Sequence, residues 1–168
     1  METKPLAIIS GGTGYVGTAI VDELTRAGWR TISLSRTTPE DTDTIYTCDV
    51  TDEREVHTAM SKIIATHGPI VACVHAASPA LERIPILSVS LKSFDAALDT
   101  GARAAFLLAK EMVGHTTENA AFIGITTQAI EPGPHQPSGA YMPAKYALRG
   151  FLRVLSAETK EKGLRVYA

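Results

Sequence analysis

A chain of 168 residues, 45% hydrophobic and 20% charged, is long enough for one domain with a sizeable core and too short for two. Its formal net charge of -2 excludes the basic footprint of a nucleic-acid binder, and no apolar run approaches the length of a membrane span. The start METKPLAIIS holds too short an apolar run for a signal peptide, and Cys48 and Cys73 sit in apolar runs suited to buried reduced thiols, so a cytoplasmic setting with a small-molecule partner is expected.

Residues 6–10 (LAIIS) read as a first strand and residues 18–28 as a helix. Further strands follow at 31–36 (TISLSR), 44–50 (TIYTCDV) and 70–77 (IVACVHAA), with a helix at 54–68. Apolar strands alternating with helices predict a parallel sheet covered on both faces, and no linker or repeat divides the chain. The helix at 54–68 has clear ends. Asp52 and Glu55 make an N-cap and capping-box pair, Val56, Met60, Ile63 and Ile64 form one apolar stripe, and His67-Gly68-Pro69 stops it. Between Arg36 and Thr44 only TTPEDTD remains, a connection stripped to a minimum for a parallel crossover. A long helix at 93–113, with Phe94, Leu98, Ala105 and Leu108 inward, precedes a strand at 120–127, a second long helix at 139–162 and a last strand at 164–168.

The first strand runs into SGGTGYVG, where Gly12, Gly14 and Gly17 fit G-x-G-x-x-G with Gly11 in front. Such glycines let backbone amides approach a pyrophosphate at a helix N-terminus, and the strand and helix that this requires lie on either side. The second strand ends in Ser35-Arg36 with no carboxylate to accept ribose hydroxyls, which favours NADP(H) over NAD(H) with Arg36 on the 2′-phosphate; the competing reading is an arginine facing solvent. In YMPAK, Tyr141 and Lys145 lie one helical turn apart, where an ammonium would favour the ionised phenol; by itself this spacing also arises by chance.

Taken together, the fingerprint, the element order and YMPAK resemble the short-chain dehydrogenase/reductase family over essentially the whole chain. The resemblance implies a Rossmann-like, doubly wound α/β fold forming a single NAD(P)-binding domain over 1–168, with the family's C-terminal strand or strands missing. It implies a cofactor cradle of Gly11, Thr13, Gly14, Tyr15, Val16 and Gly17, with Ser35 and Arg36 beyond it. Asp49 would hold the adenine amino group, Val50 would cover the ring, and His75, Ala76 and Ala77 would lie along the cofactor. Tyr141 would be the acid/base for a carbonyl/alcohol pair. Lys145 would lower the phenol pKa and bind the nicotinamide ribose, and Thr127 would hold the carbonyl oxygen, with Thr126 as rival because strand neighbours face opposite sides.

Three features depart from the family. Gly101 stands where the family keeps an asparagine that anchors a proton-relay water, the spacing Gly11-x-x-Gly14-x-x-Gly17 resembles the epimerase-like branch, and the chain stops at GLRVYA. It would be either a fragment or a short member completed by a partner subunit. The alternatives to an NADP(H)-dependent oxidoreductase are therefore a catalytically idle nucleotide-binding or scaffold protein and, last, a nucleotide-sugar epimerase or dehydratase. His57, His67, His115 and His135 show no metal-ligand spacing, and Trp29 reads as a packing residue. By analogy the two long helices would pair with their mates in a homodimer or homotetramer.

Overall fold

The computed structural model describes residues 4–38, 40–134 and 136–168. His135, expected to play an ordinary loop role, and Pro39 of the short crossover lie outside the described residues. Six strands, β1 (Leu6–Ser10), β2 (Arg30–Ser35), β3 (Ile45–Thr47), β4 (Ile70–His75), β5 (Thr116–Gly124) and β6 (Arg165–Tyr167), form one parallel sheet in the order β3-β2-β1-β4-β5-β6. This is the doubly wound arrangement expected from the sequence. The order reverses between β1 and β4, and ligands of such sheets bind outside the strand ends at that point.

Every residue of β1 is buried, as are all but one of β2 and of β4, because both faces of the inner sheet are covered. Alternate side chains serve different cores. Leu6, Ile8, Ile32, Cys73 and Phe122 join α2 (Glu53–His67), α4 (Ala104–Val113) and α5 (Tyr141–Thr159), whereas Ala7, Ile9, Ala72 and Val74 meet Ile20, Val21 and Leu24 of α1 (Tyr15–Arg26), with Trp29 beside them. Both cysteines are buried and free. No helix among the described residues is long and apolar enough to cross a membrane.

The capping-box expectation is half met. Asp52 Oδ1 accepts from the amides of Arg54 at 2.9 Å and Glu55 at 3.0 Å, but Glu55 Oε2 accepts from Asp49 N at 2.7 Å instead of reaching back to Asp52. That bond ties the helix start to the segment after β3. Among the described residues of the crossover from β2 to β3 there is no helix; Asp41 Oδ1 accepts from Thr47 N at 2.7 Å and Thr42 caps its own turn at Ile45 N, 3.0 Å.

The long helix expected at 93–113 is not one uniform helix. It consists of α3 (Leu91–Leu98), a π turn over Asp99–Arg103 and α4. Ala105 and Leu108 are fully buried as expected, while Phe94 and Leu98 pack more loosely against Ala97, Ala140 and Ala144. The second long helix ends at Thr159, with a 3₁₀ turn over Lys160–Lys162 and Gly163 in the left-handed conformation at φ +75°. The strand expected at 120–127 begins earlier and ends earlier, at Thr116–Gly124. Its irregular register opposite β4 includes Asn119 at φ +64°, a conformation asparagine tolerates.

Candidate active site

Apart from Tyr141 and Lys145, the residues that the sequence singles out for a cofactor lie at or after the last residues of β1, β2, β3 and β4, so a parallel sheet brings them to one edge. Gly11 turns the chain at φ +70°, where a Cβ would lie 2.7 Å from Ala77 N; a Cβ at Gly17 would collide with the Gly11 carbonyl. Side chains are excluded here by contact as well as by backbone conformation. α1 starts at Tyr15 behind Gly14, which supplies no capping side chain, and its first turn holds no carboxylate. The unpaired first-turn amides are left for an external anion, so the cradle fits a pyrophosphate.

Beside this loop lies a cavity of about 410 Å³. Gly11, Thr13, Gly14, Tyr15, Val16, Gly17, Ser35, Arg36, Asp49, Val50, Ala76 and Ala77 all border it. Ser35 Oγ stands 3.4 Å from Thr13 Oγ1 and 3.3 Å from Thr37 Oγ1, a row of hydroxyls at the end of β2. The Arg36 guanidinium, 69% exposed, is 4.0 Å from Asp49 Oδ2. Asp49 is itself held, its Oδ1 accepting from Thr51 N at 2.9 Å and Thr51 Oγ1 at 2.8 Å.

Three expected cofactor residues do not border this cavity: Tyr141 and Lys145, described below, and His75. The side chain of His75 is fully buried and is not part of the cavity wall. Its Nδ1 pairs with Ser10 Oγ at 2.7 Å, and its Nε2 lies 3.0 Å from Thr100 O and 3.1 Å from Gly101 O. Burial, helped by the charge of Lys145, pushes its pKa down to about 4. A large side chain at the end of an apolar strand turns into the core, and only the following Ala76 and Ala77 reach the cavity.

Tyr141, Lys145 and Thr127 lie outside that cavity, and of the three the structure brings Tyr141 and Lys145 together. Tyr141 is the first residue of α5 and Lys145 lies one turn on, with its Nζ 5.5 Å from the Tyr141 ring centroid. The ammonium donates to Ile125 O at 2.7 Å, and Ile125 N in turn donates to His75 O at 3.0 Å. Lys145 is only 2% exposed, and this burial pushes its pKa down to about 8. Because β5 stops at Gly124, neither Thr126 nor Thr127 belongs to the strand, and strand alternation does not choose between them. Thr127 starts the 3₁₀ turn Gln128–Ile130, and its hydroxyl accepts from Ala129 N at 3.4 Å, serving its own turn rather than Tyr141.

The structure adds wall residues that the sequence reading missed: Thr37, Thr51 and Ser78, each next to a residue already singled out, and Thr100, which the π turn delivers. Proximity in sequence could have found the first three. Thr100 carries no local signal.

The model of the family described as enoyl-(acyl carrier protein) reductase matches residues 16–168. Short-chain dehydrogenase reductase 4 of Arabidopsis thaliana is 29% identical over 178 residues, covering 96% of this chain, and the chain spans 58% of that protein's length. The 2,5-dichloro-2,5-cyclohexadiene-1,4-diol dehydrogenase of Sphingobium indicum is 24% identical over 180 residues, covering all of this chain and 71% of its own. A Serratia marcescens short-chain dehydrogenase/reductase structure superposes with a TM-score of 0.86 at 20% identity, covering 96% of this chain and 75% of that one. NADH-dependent reductase A1-R′, solved with NAD, gives 0.85 at 19% identity, covering 98% and 76% respectively.

Proposed function

The chain belongs to the short-chain dehydrogenase/reductase family, and from that premise we propose that it is an NADP(H)-dependent oxidoreductase interconverting a carbonyl and an alcohol. The observation that carries the reading is the Lys145 ammonium one helical turn from the Tyr141 phenol, at the same end of the sheet as the glycine loop and its cavity. Tyr141 donates a proton to the carbonyl oxygen in reduction and removes one from the alcohol in the reverse direction. The Lys145 ammonium, its Nζ 5.5 Å from the Tyr141 ring centroid, offers a positive charge beside the phenol as negative charge develops on its oxygen during proton transfer. Thr127 hydrogen-bonds the same substrate oxygen after its weak bond to Ala129 N gives way. The nicotinamide, when bound, supplies or accepts the hydride.

For binding, the loop from Gly11 to Gly17 offers its amides to the pyrophosphate. Val50 and Ala77 flank the adenine, and Asp49 Oδ2 is the acceptor for its amino group. At the ribose, Arg36 and the hydroxyls of Ser35, Thr13 and Thr37 suit a 2′-phosphate, and this supports NADP(H) over NAD(H). Structural relatives include a reductase solved with NAD and a blue fluorescent protein solved with NADPH, so the preference rests on these side chains. Phe106 and Val154, exposed on α4 and α5, support a homodimer or homotetramer built on these helices, and the buried free thiols of Cys48 and Cys73 support a cytoplasmic setting.

A specific observation favours a second reading, a nucleotide-binding protein without turnover. Gly101 lies buried in the π turn, where a Cβ would come within 3.1 Å of Ala144 O, so the family's asparagine has no counterpart there. The test is carbonyl-dependent oxidation of NADPH across a panel of aldehydes and ketones, with Tyr141→Phe as control. The oxidoreductase reading requires turnover that Tyr141→Phe abolishes while NADPH affinity is kept. Cofactor binding without turnover on any carbonyl supports the second reading, and turnover unaffected by Tyr141→Phe removes Tyr141 from the mechanism.

A further inference from the structure

His75 is the one fully buried histidine among the described residues, and its three hydrogen bonds reach two different elements, β1 and the π turn. The carbonyls of Thr100 and Gly101 can only accept, so Nε2 carries the proton and is shared between them. Nδ1 is then the acceptor, and the Ser10 hydroxyl donates to it. Ser10 is the residue immediately before the glycine loop. Thr100 and Gly101 belong to the π turn, whose wider winding draws carbonyls away from their helical partners. A ring held at one end by the base of the glycine loop and at the other by the π turn therefore spans the two sides of the cofactor cavity, since Gly11 and Thr100 both line it.

The same turn touches the catalytic helix. Gly101 is buried against Ala144, the residue before Lys145, with so little space that an added Cβ would lie 3.2 Å from Ala144 Cβ. We propose that His75 is a positioning residue: its Nε2–H grips Thr100 O and Gly101 O and so fixes where the π turn meets the cavity at Thr100 and α5 at Ala144. The ring takes over, in a dry core, the bracing of a turn whose own residue 101 has no side chain to do it. This rests on reading the cavity as a dinucleotide site, and the ring itself touches neither substrate nor cofactor.

Two measurements on the cofactor-free protein bear on the clamp alone. Nitrogen-15 NMR of the imidazoles, with His75→Gln to assign the signal, is expected to show a neutral Nε2–H tautomer for His75. Amide hydrogen exchange within residues 99–105 is expected to quicken about tenfold in His75→Leu relative to β1 and β4, and to slow again in His75→Gln, whose amide can still donate. A third measurement, NADP+ affinity, should fall about tenfold in His75→Leu and be largely recovered in His75→Gln. If His75→Leu does not fold, His75→Asn, too short to reach the π turn, carries the same expectation. A proton on Nδ1, or exchange in 99–105 that is the same in wild type and in the leucine or asparagine variant, overturns the clamp. If the clamp signatures appear and the wild-type chain binds no NADP+, the failure falls on the cofactor reading and not on His75.

Discussion

The Lys145 ammonium lies 5.5 Å from the ring centroid of Tyr141 and donates to Ile125 O at 2.7 Å, in a position where the lysine is 2% exposed. A cation held this dry is poised between two states, because burial pushes its pKa down to about 8. The carbonyl of Ile125 can accept from the amine in either state and so holds it beside the Tyr141 ring. It also links the site to β4 through the bond from Ile125 N to His75 O.

A pH dependence of stability follows from Lys145. The folded amine loses its proton at about 8 and the unfolded one at about 10.4, so between these values the unfolded chain binds the extra proton. Raising the pH through that window favours the folded state, by on the order of 3 kcal/mol for this group. Chemical denaturation from pH 7.5 to 10.5 should show this gain in the wild type relative to Lys145→Met, in which it is absent; parallel profiles would show that the amine is not dry.

His75 acts at the acid end. Its folded pKa of about 4 lies below the unfolded value of about 6.5, so the stability present above pH 6.5 is lost as the pH falls toward 4. The loss is on the order of 3 kcal/mol. His75→Gln should lack this component, and the difference between the two denaturation profiles over pH 4–7 measures it.

Gly17 packs against the carbonyl of Gly11 with no room for a Cβ. Gly17→Ala should cost about 3 kcal/mol by forcing α1 away from the loop, and it should weaken NADP+ binding as well, because the first-turn amides move with the helix. Urea denaturation and equilibrium dialysis measure the two effects separately.

At the end of β2, Arg36→Ala should weaken NADP+ binding about tenfold or more, the scale of a lost charge-assisted contact, and leave NAD+ binding within about twofold. Paired dissociation constants give the ratio. Equal losses for both cofactors would mean that Arg36 acts through its 4.0 Å approach to Asp49 rather than through a 2′-phosphate.

The sheet and the glycine loop were legible in the sequence because each rests on local patterns. β1 and β4 are largely apolar runs, β2 sets Ile32 and Leu34 among hydroxyl residues, Asp52 caps its helix as its residue type predicts, and the glycines sit where contacts exclude side chains. What could not be read depends on contacts distant in sequence. The π turn at Asp99–Arg103 adds width to a helix without a propensity signature, and it needs His75, twenty-five residues earlier, to satisfy the carbonyl of Thr100. The family resemblance implied that His75 lies along the cofactor with Ala76 and Ala77, whereas its side chain is buried in the core. Thr127 and its rival Thr126 were expected on a strand, whereas the strand ends at Gly124 and the Thr127 hydroxyl serves a turn.

Calorimetric titration of the wild-type chain with NADP+ and with NAD+ under identical conditions is the most direct test of the central claim, that the cavity beside the glycine loop is an NADP(H) site. The predicted result is saturable binding of one NADP+ per chain, at least about tenfold tighter than NAD+. Tighter binding of NAD+, or no binding of either, would contradict it.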